Sequence, residues 1–126
     1  MSVLKLTIKK EWFDMINSGV KKEEYREIKP YWVSRLFKAD FGSLDLKEAH
    51  DYMKEGLRLA YKFPNGHFTT PRFSTIEFKN GYAKDAPTIH VVCEGITIGE
   101  AKPEWSNNWQ GKVFVIKLGD IYRNDI

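Results

Sequence analysis

At 126 residues, with 42% apolar and 29% charged side chains, the chain can enclose one domain's core and is too apolar for a disordered tract. A net charge of +3 permits a polyanionic partner without demanding one. The single cysteine, Cys93, excludes an internal disulfide and a cysteine-based metal site, and the opening MSVLKLTIKK and the rest of the chain lack a leader-like or membrane-spanning apolar run, so a cytosolic protein away from membranes is expected.

Residues Val3 to Lys9 alternate, with Leu4, Leu6 and Ile8 on one face, which predicts a half-buried strand. The period then changes. Trp12, Phe13 and Ile16 fall on one side of a helix from Lys10 to Asn17, and Ser18-Gly19 ends it, with Gly19 suited to a left-handed cap. A charged strand over roughly Lys22 to Ile28 follows, and Lys29-Pro30 opens a second helix with Trp32, Val33, Leu36 and Phe37 as its apolar stripe. Asp45 and Glu48 can form a capping box for a third short helix ending at Gly56. Leu57 to Phe63 alternates as a strand, Pro64-Asn65-Gly66 is a turn, and Pro71 makes Phe68 to Phe73 irregular or an edge.

Ser74 to Lys79 is a strand with Ile76 and Phe78 on one face, and Asn80-Gly81 is the strongest local turn signal. Thr88 to Glu94 is a strand with Ile89, Val91 and Cys93 to one side. Gly95 breaks it, and Ile96 to Ala101 resumes the alternation. Lys102 to Lys112 is a polar loop holding Trp105 and Trp109, Val113 to Leu118 is the last strand, and the remaining residues form a frayed tail. Many short strands interrupted by small helices predict a single α+β domain over residues 1–126, with a mostly antiparallel small barrel or curled sheet and about three short helices.

The stretch around which function turns is Lys21 to Glu27, six charged side chains in seven positions. In a strand Lys22, Glu24 and Arg26 share one face, and Lys21, Glu23, Tyr25 and Glu27 the other. A core face does not accept unpaired charge, so the strand is either a wet edge or the wall of a polar cavity. At an edge these residues form cross-strand ion pairs of little worth. In a cavity Arg26 offers a planar fork for phosphate or a base edge, Glu24 accepts from an exocyclic amine, and Lys21 and Lys22 attract phosphate. Asn80 and Tyr82 can present an amide and a ring to the same ligand, and Trp105 and Trp109 can stack on a base or simply anchor their loop.

Gly19, Lys21, Glu24 and Arg26 match the motif of the ASCH domain family, which this chain resembles; Lys22 stands where that family commonly has threonine. The preceding strand and helix, and the closing strands around the tryptophan-bearing loop, are similar too, while residues 40–72 read as an insertion. The resemblance implies a PUA-like fold, a small β-barrel with helices at its rim, and a charged cleft that binds RNA, a nucleotide or a modified nucleoside. One branch of the family resembles an amidohydrolase that removes acetyl from N4-acetylcytidine, with a motif lysine, a threonine and a distant glutamate. Lys21 matches the lysine, Glu24 occupies the threonine position, and Glu77, Glu94 and Glu100 are open choices for the distant acid. An enzyme of this chain would therefore use Lys21 as base or activator, with Glu24 or a distant glutamate as the second proton-transfer group. A third expectation is a protein-interaction module built from Tyr52, Met53, Tyr61, Phe63 and Phe68. His50, His67 and His90 have no ligand spacing, and no phosphate-binding glycine fingerprint is present, so neither metal nor cofactor is expected.

Overall fold

The computed structural model describes residues 2–37 and 73–125. The elements are β1 (Ser2–Ile8), α1 (Lys10–Asn17), β2 (Glu23–Glu27), α2 (Pro30–Phe37), β3 (Phe73–Asn80), β4 (Thr88–Glu100), a 3-10 turn (Pro103–Trp105) and β5 (Lys112–Asp125). The expected capped helix at Asp45, the strand Leu57 to Phe63 and the aromatic interaction segment lie outside the described residues. The strands form one sheet in the order β1-β3-β4-β5-β2. It is mixed: β1 runs parallel to β3, with Leu4 opposite Ile76 and Leu6 opposite Phe78, while β3 and β4 are antiparallel, with Ile76 opposite Val91. The parallel pairing of β1 with β3 carries no local signal, because a parallel partner is reached by crossover.

The chain divides into two compact units, and β2, β4 and β5 each contribute residues to both. The first comprises Met1–Glu24, Pro71–Glu94 and Lys117–Ile126. Its core is what the alternation predicts: Leu4, Leu6 and Ile8 of β1, Phe13 and Ile16 of α1, Ile76 and Phe78 of β3, and Ile89 and Val91 of β4 are buried. Burying such side chains contributes roughly 1.5–3 kcal/mol each. Gly19 adopts φ +83°, and Gly19 N–H donates to Ile16 O while Val20 and Lys21 N–H donate to Met15 O, so the helix end is capped as its glycine predicts.

The second unit comprises Tyr25–Thr70 and Gly95–Ile116. Tyr25, Ala101, Val113 and Val115 form a buried cluster, with Trp105 packed against it. All four residues from Val113 to Ile116 are buried, so this part of β5 is covered on both faces.

Two expectations change. Gly95 does not end its strand; it continues with Gly95 at φ 153°, a geometry that glycine admits. Asn80-Gly81 stands at the turn that its residues signal. It opens the connection 81–87, in which Asn80 N–H donates to Pro87 O and Gly81 N–H to Ile8 O. The residues after Leu118 are not a frayed tail. β5 runs on to Asp125, where Asn124 Nδ2 donates to Asn17 Oδ1 at 2.9 Å and the Asp125 carboxylate lies 3.3 Å from His90 Nε2 and 3.0 Å from Arg123 Nε.

Candidate functional site

The chain from Val20 to Lys22 is not yet strand, and this decides the site. Strict alternation would put Lys21 and Glu24 on opposite faces. Because β2 begins only at Glu23, the Lys21 side chain turns along the strand and meets Glu24. Lys21 Nζ donates to Glu24 Oε1 and to Glu23 O, each at 2.8 Å, and stands 5.1 Å from the centre of the Trp12 ring. The two side chains are 1% and 6% exposed. A buried ammonium is tolerable only when acceptors and a counter-charge replace its water, and Glu23 O, Glu24 and the indole face supply them here. The lysine and the glutamate are thus joined to each other in a dry site and do not reach into a wet cleft.

Beside that pair is an open-sided hollow of about 160 Å3. One wall is the end of α1 and the turn after it, including Asn17, Gly19, Lys21 and Lys22; the other is β5 around Leu118, Gly119 and Asp120. Leu118 N–H donates to Lys22 O at 3.0 Å and holds the two walls together. Lys22 and Asp120 are both exposed, so the hollow offers one cation and one carboxylate. Asp120 has no forecast from the sequence, because it lies in the stretch read as tail.

The other expected residues fall as follows. In the first unit, Asn80 is the last residue of β3, half-buried, and Tyr82 is 92% exposed in the connection that follows. In the second unit, Arg26 is half-buried; its Nη1 donates to Tyr25 O at 2.7 Å and its guanidinium lies 5.2 Å from the Trp32 ring centre. Arg35 lies 5.3 Å from the same ring and donates to Tyr31 Oη at 3.2 Å, while the Tyr31 ring meets Trp32 edge-on at 4.9 Å. Trp105 packs on the buried cluster under Lys102, whose Nζ is 4.6 Å from its ring centre; the anchoring role weighed for this tryptophan describes its position. Lys102 N–H donates to Tyr25 Oη, tying the loop to β2.

Trp109 is 38% exposed. Ser106 Oγ accepts from its N–H, and Asn107 and Asn108 take the left-handed conformation just before it. Cys93 is half-exposed, not enclosed as the apolar strand suggests.

Among the described residues no three His, Cys, Asp or Glu side chains gather as a metal site, and no helix is long and apolar enough to cross a membrane. No protein-family model matches the chain, and neither does any curated protein or any solved structure.

Proposed function

We propose that this chain is an RNA- or nucleotide-binding module of the ASCH type, with a small PUA-like barrel, and that a nucleotide, a modified nucleoside or one residue of a single-stranded RNA seats in the hollow beside Gly19, Lys21 and Lys22. The observation that carries this reading is the hollow itself, of about 160 Å3, bordered by the charged motif. Whole drug-sized ligands occupy roughly 300–1,000 Å3, so this one suits a single base or phosphate group. Lys22 supplies the cation for phosphate, and Asp120 is placed to accept from an exocyclic amine, the task first considered for Glu24. Lys21 and Glu24 stiffen the wall.

The test is a titration of labelled single-stranded RNA and of nucleoside monophosphates at several salt concentrations. Binding weakens as salt rises, and Lys22→Ala reduces both affinity and salt slope. Flat titrations at low salt for RNA, DNA and nucleotides alike overturn the proposal.

A second reading, hydrolysis of an N-acylated nucleobase such as N4-acetylcytidine, draws support from the 2.8 Å contact of Glu24 with Lys21, which lines the hollow. A hydrogen-bonded amine and carboxylate can pass a proton between them. Turnover of N4-acetylcytidine that disappears in Glu24→Gln supports it, and no turnover by the unaltered protein removes it.

A further inference from the structure

We infer that Asn80-Gly81 is a site of spontaneous covalent modification, at which the Asn80 side-chain amide gives up ammonia and becomes an aspartate or isoaspartate carboxylate. No residue lining the hollow takes part, so the two readings stand or fall separately.

The reaction makes three demands on the chain: an uncrowded peptide nitrogen after the asparagine, a side-chain amide free to turn onto it, and a backbone that can open there. Gly81 meets the first. It has no side chain, and even a Cβ built on it would meet nothing within 4 Å. Asn80 meets the second. It is half-buried at the end of β3, and among the described residues nothing hydrogen-bonds its side-chain amide. The third follows from where the pair sits in the sheet. Ile8 and Asn80 are the last partners of β1 and β3, and Gly81 N–H donates to Ile8 O at 3.3 Å just beyond them. The nitrogen that reacts is therefore held by a terminal hydrogen bond, which opens by fraying and needs no unfolding. Gly81 already turns out of the strand at φ +91° and leads into the exposed residues Tyr82 to Asp85.

The other described asparagines fall short. Asn17 and Asn124 hydrogen-bond each other at 2.9 Å, and Ser18 and Asp125 follow them. Asn107 precedes Asn108 and Asn108 precedes Trp109, so a side chain stands beside each nitrogen, and those nitrogens donate to Pro103 O and Ser106 Oγ. The same dipeptide recurs at Asn65-Gly66, outside the described residues.

Water is the one co-reactant. Gly81 N attacks Asn80 Cγ with its lone pair, and the bond from Cγ to Nδ2 breaks. The electron pair of that bond and the proton of the glycine nitrogen leave together in ammonia. The cyclic imide so formed takes up water at either of its carbonyls. Opening at Cγ restores the backbone and leaves aspartate. Opening at the backbone carbonyl leaves isoaspartate, whose chain runs on through Cβ and Cγ. Either product puts a carboxylate next to Lys79, and the longer isoaspartate backbone moves Gly81 N–H out of register with Ile8 O.

The full chain and its Asn80→Gln and Gly81→Ala variants are incubated in mildly alkaline buffer, folded and in urea. Peptide mapping by mass spectrometry follows each asparagine separately, Asn65 included, and a carboxyl methyltransferase with a labelled methyl donor counts isoaspartate. In the folded chain Asn80 converts roughly tenfold faster or more than Asn17, Asn107, Asn108 and Asn124, because its neighbour alone carries no side chain. In urea Asn80 converts no more than about tenfold faster than in the folded chain, since a frayed end opens at little cost. Gly81→Ala slows the reaction in urea, where no fold can be disturbed, and Asn80→Gln removes labelled isoaspartate from that peptide. A smaller lead of Asn80 over the other four asparagines overturns the inference. So does protection in the folded chain beyond tenfold, which would mean that the bond to Ile8 O locks the nitrogen.

Discussion

Replacing Lys21 by methionine keeps most of the side-chain volume and removes the ammonium. The substituted side chain sits where only 1% of the lysine and 6% of Glu24 is exposed, so water cannot stand in for the lost charge. Glu24 loses a 2.8 Å charge-assisted hydrogen bond, Glu23 O loses a donor, and Trp12 loses its cation. Breaking a buried pair from one side costs about 3–5 kcal/mol. Against a total stability of roughly 5–15 kcal/mol for a domain, that is a large fraction. At about 4 °C per kcal/mol for a domain of this length, the melting temperature falls by about 12–20 °C. The double variant Lys21→Met/Glu24→Leu removes both charges and recovers most of the loss, because the pair's attraction is largely cancelled by the desolvation of both ions. Urea unfolding of the four proteins, read as a double-mutant cycle, measures the coupling directly. A single-variant cost below about 1 kcal/mol, or a double variant as unstable as the two single losses added, contradicts the burial and pairing on which this reasoning stands.

Gly119 and Gly99 form a contrasting pair. A Cβ at Gly119 comes within 3.0 Å of Glu94 Cγ and 3.2 Å of Val92 Cβ, so Gly119→Ala costs about 1–3 kcal/mol by urea unfolding, whereas a Cβ at Gly99 meets only Val115 Cγ2 at 3.6 Å and Gly99→Ala is neutral or stabilising by about 0.4–1 kcal/mol. Tyr25→Phe removes the hydrogen bond to Lys102 N–H and costs about 0.5–1.5 kcal/mol while loosening the tryptophan loop, which amide hydrogen exchange at residues 102–109 detects. The Asp125 carboxyl titrates below the ordinary 3.8 of an aspartate, chiefly through its hydrogen bond from Arg123, with His90 adding a smaller effect. A folded-state value below the unfolded one means this contribution is full above the unfolded value and is lost as pH falls through the folded one. NMR titration of the Asp125 carboxyl therefore gives a midpoint below 3.8 that moves up in Arg123→Ala.

The parts of the fold that could be read from the residues are those whose information is local. The period-two pattern of Leu4, Leu6 and Ile8, the change of period at Trp12, Phe13 and Ile16, and the cap at Gly19 each specify their own element. Pairing of β1 with β3 joins residues more than seventy apart and leaves no trace in either strand alone. The end of β5 was illegible for the same reason. Asp120 to Asp125 lacks an apolar alternation, and its side-chain ties run to Asn17 and His90, 107 and 35 residues away. At the candidate site the charge density of Lys21 to Glu27 singles out a stretch whose first two residues line the hollow. The contact between Lys21 and Glu24 depended on where the strand starts, a single-residue detail that alternation cannot supply. Lys29, Tyr31 and Arg35 read from the sequence either as a basic rim or as solvated helix-surface side chains, and the approach of Arg26 and Arg35 to the Trp32 ring has no local signal.

The most direct measurement is amide chemical-shift mapping of the whole chain as uridine monophosphate is added at low salt. Occupation of the hollow shifts Gly19, Lys22, Gly119 and Asp120 together, saturably and reversibly with salt, and the shifts vanish in Lys22→Ala. Saturation without movement at those residues, or shifts confined to other parts of the chain, contradicts the assignment of the hollow as the place where a nucleotide binds.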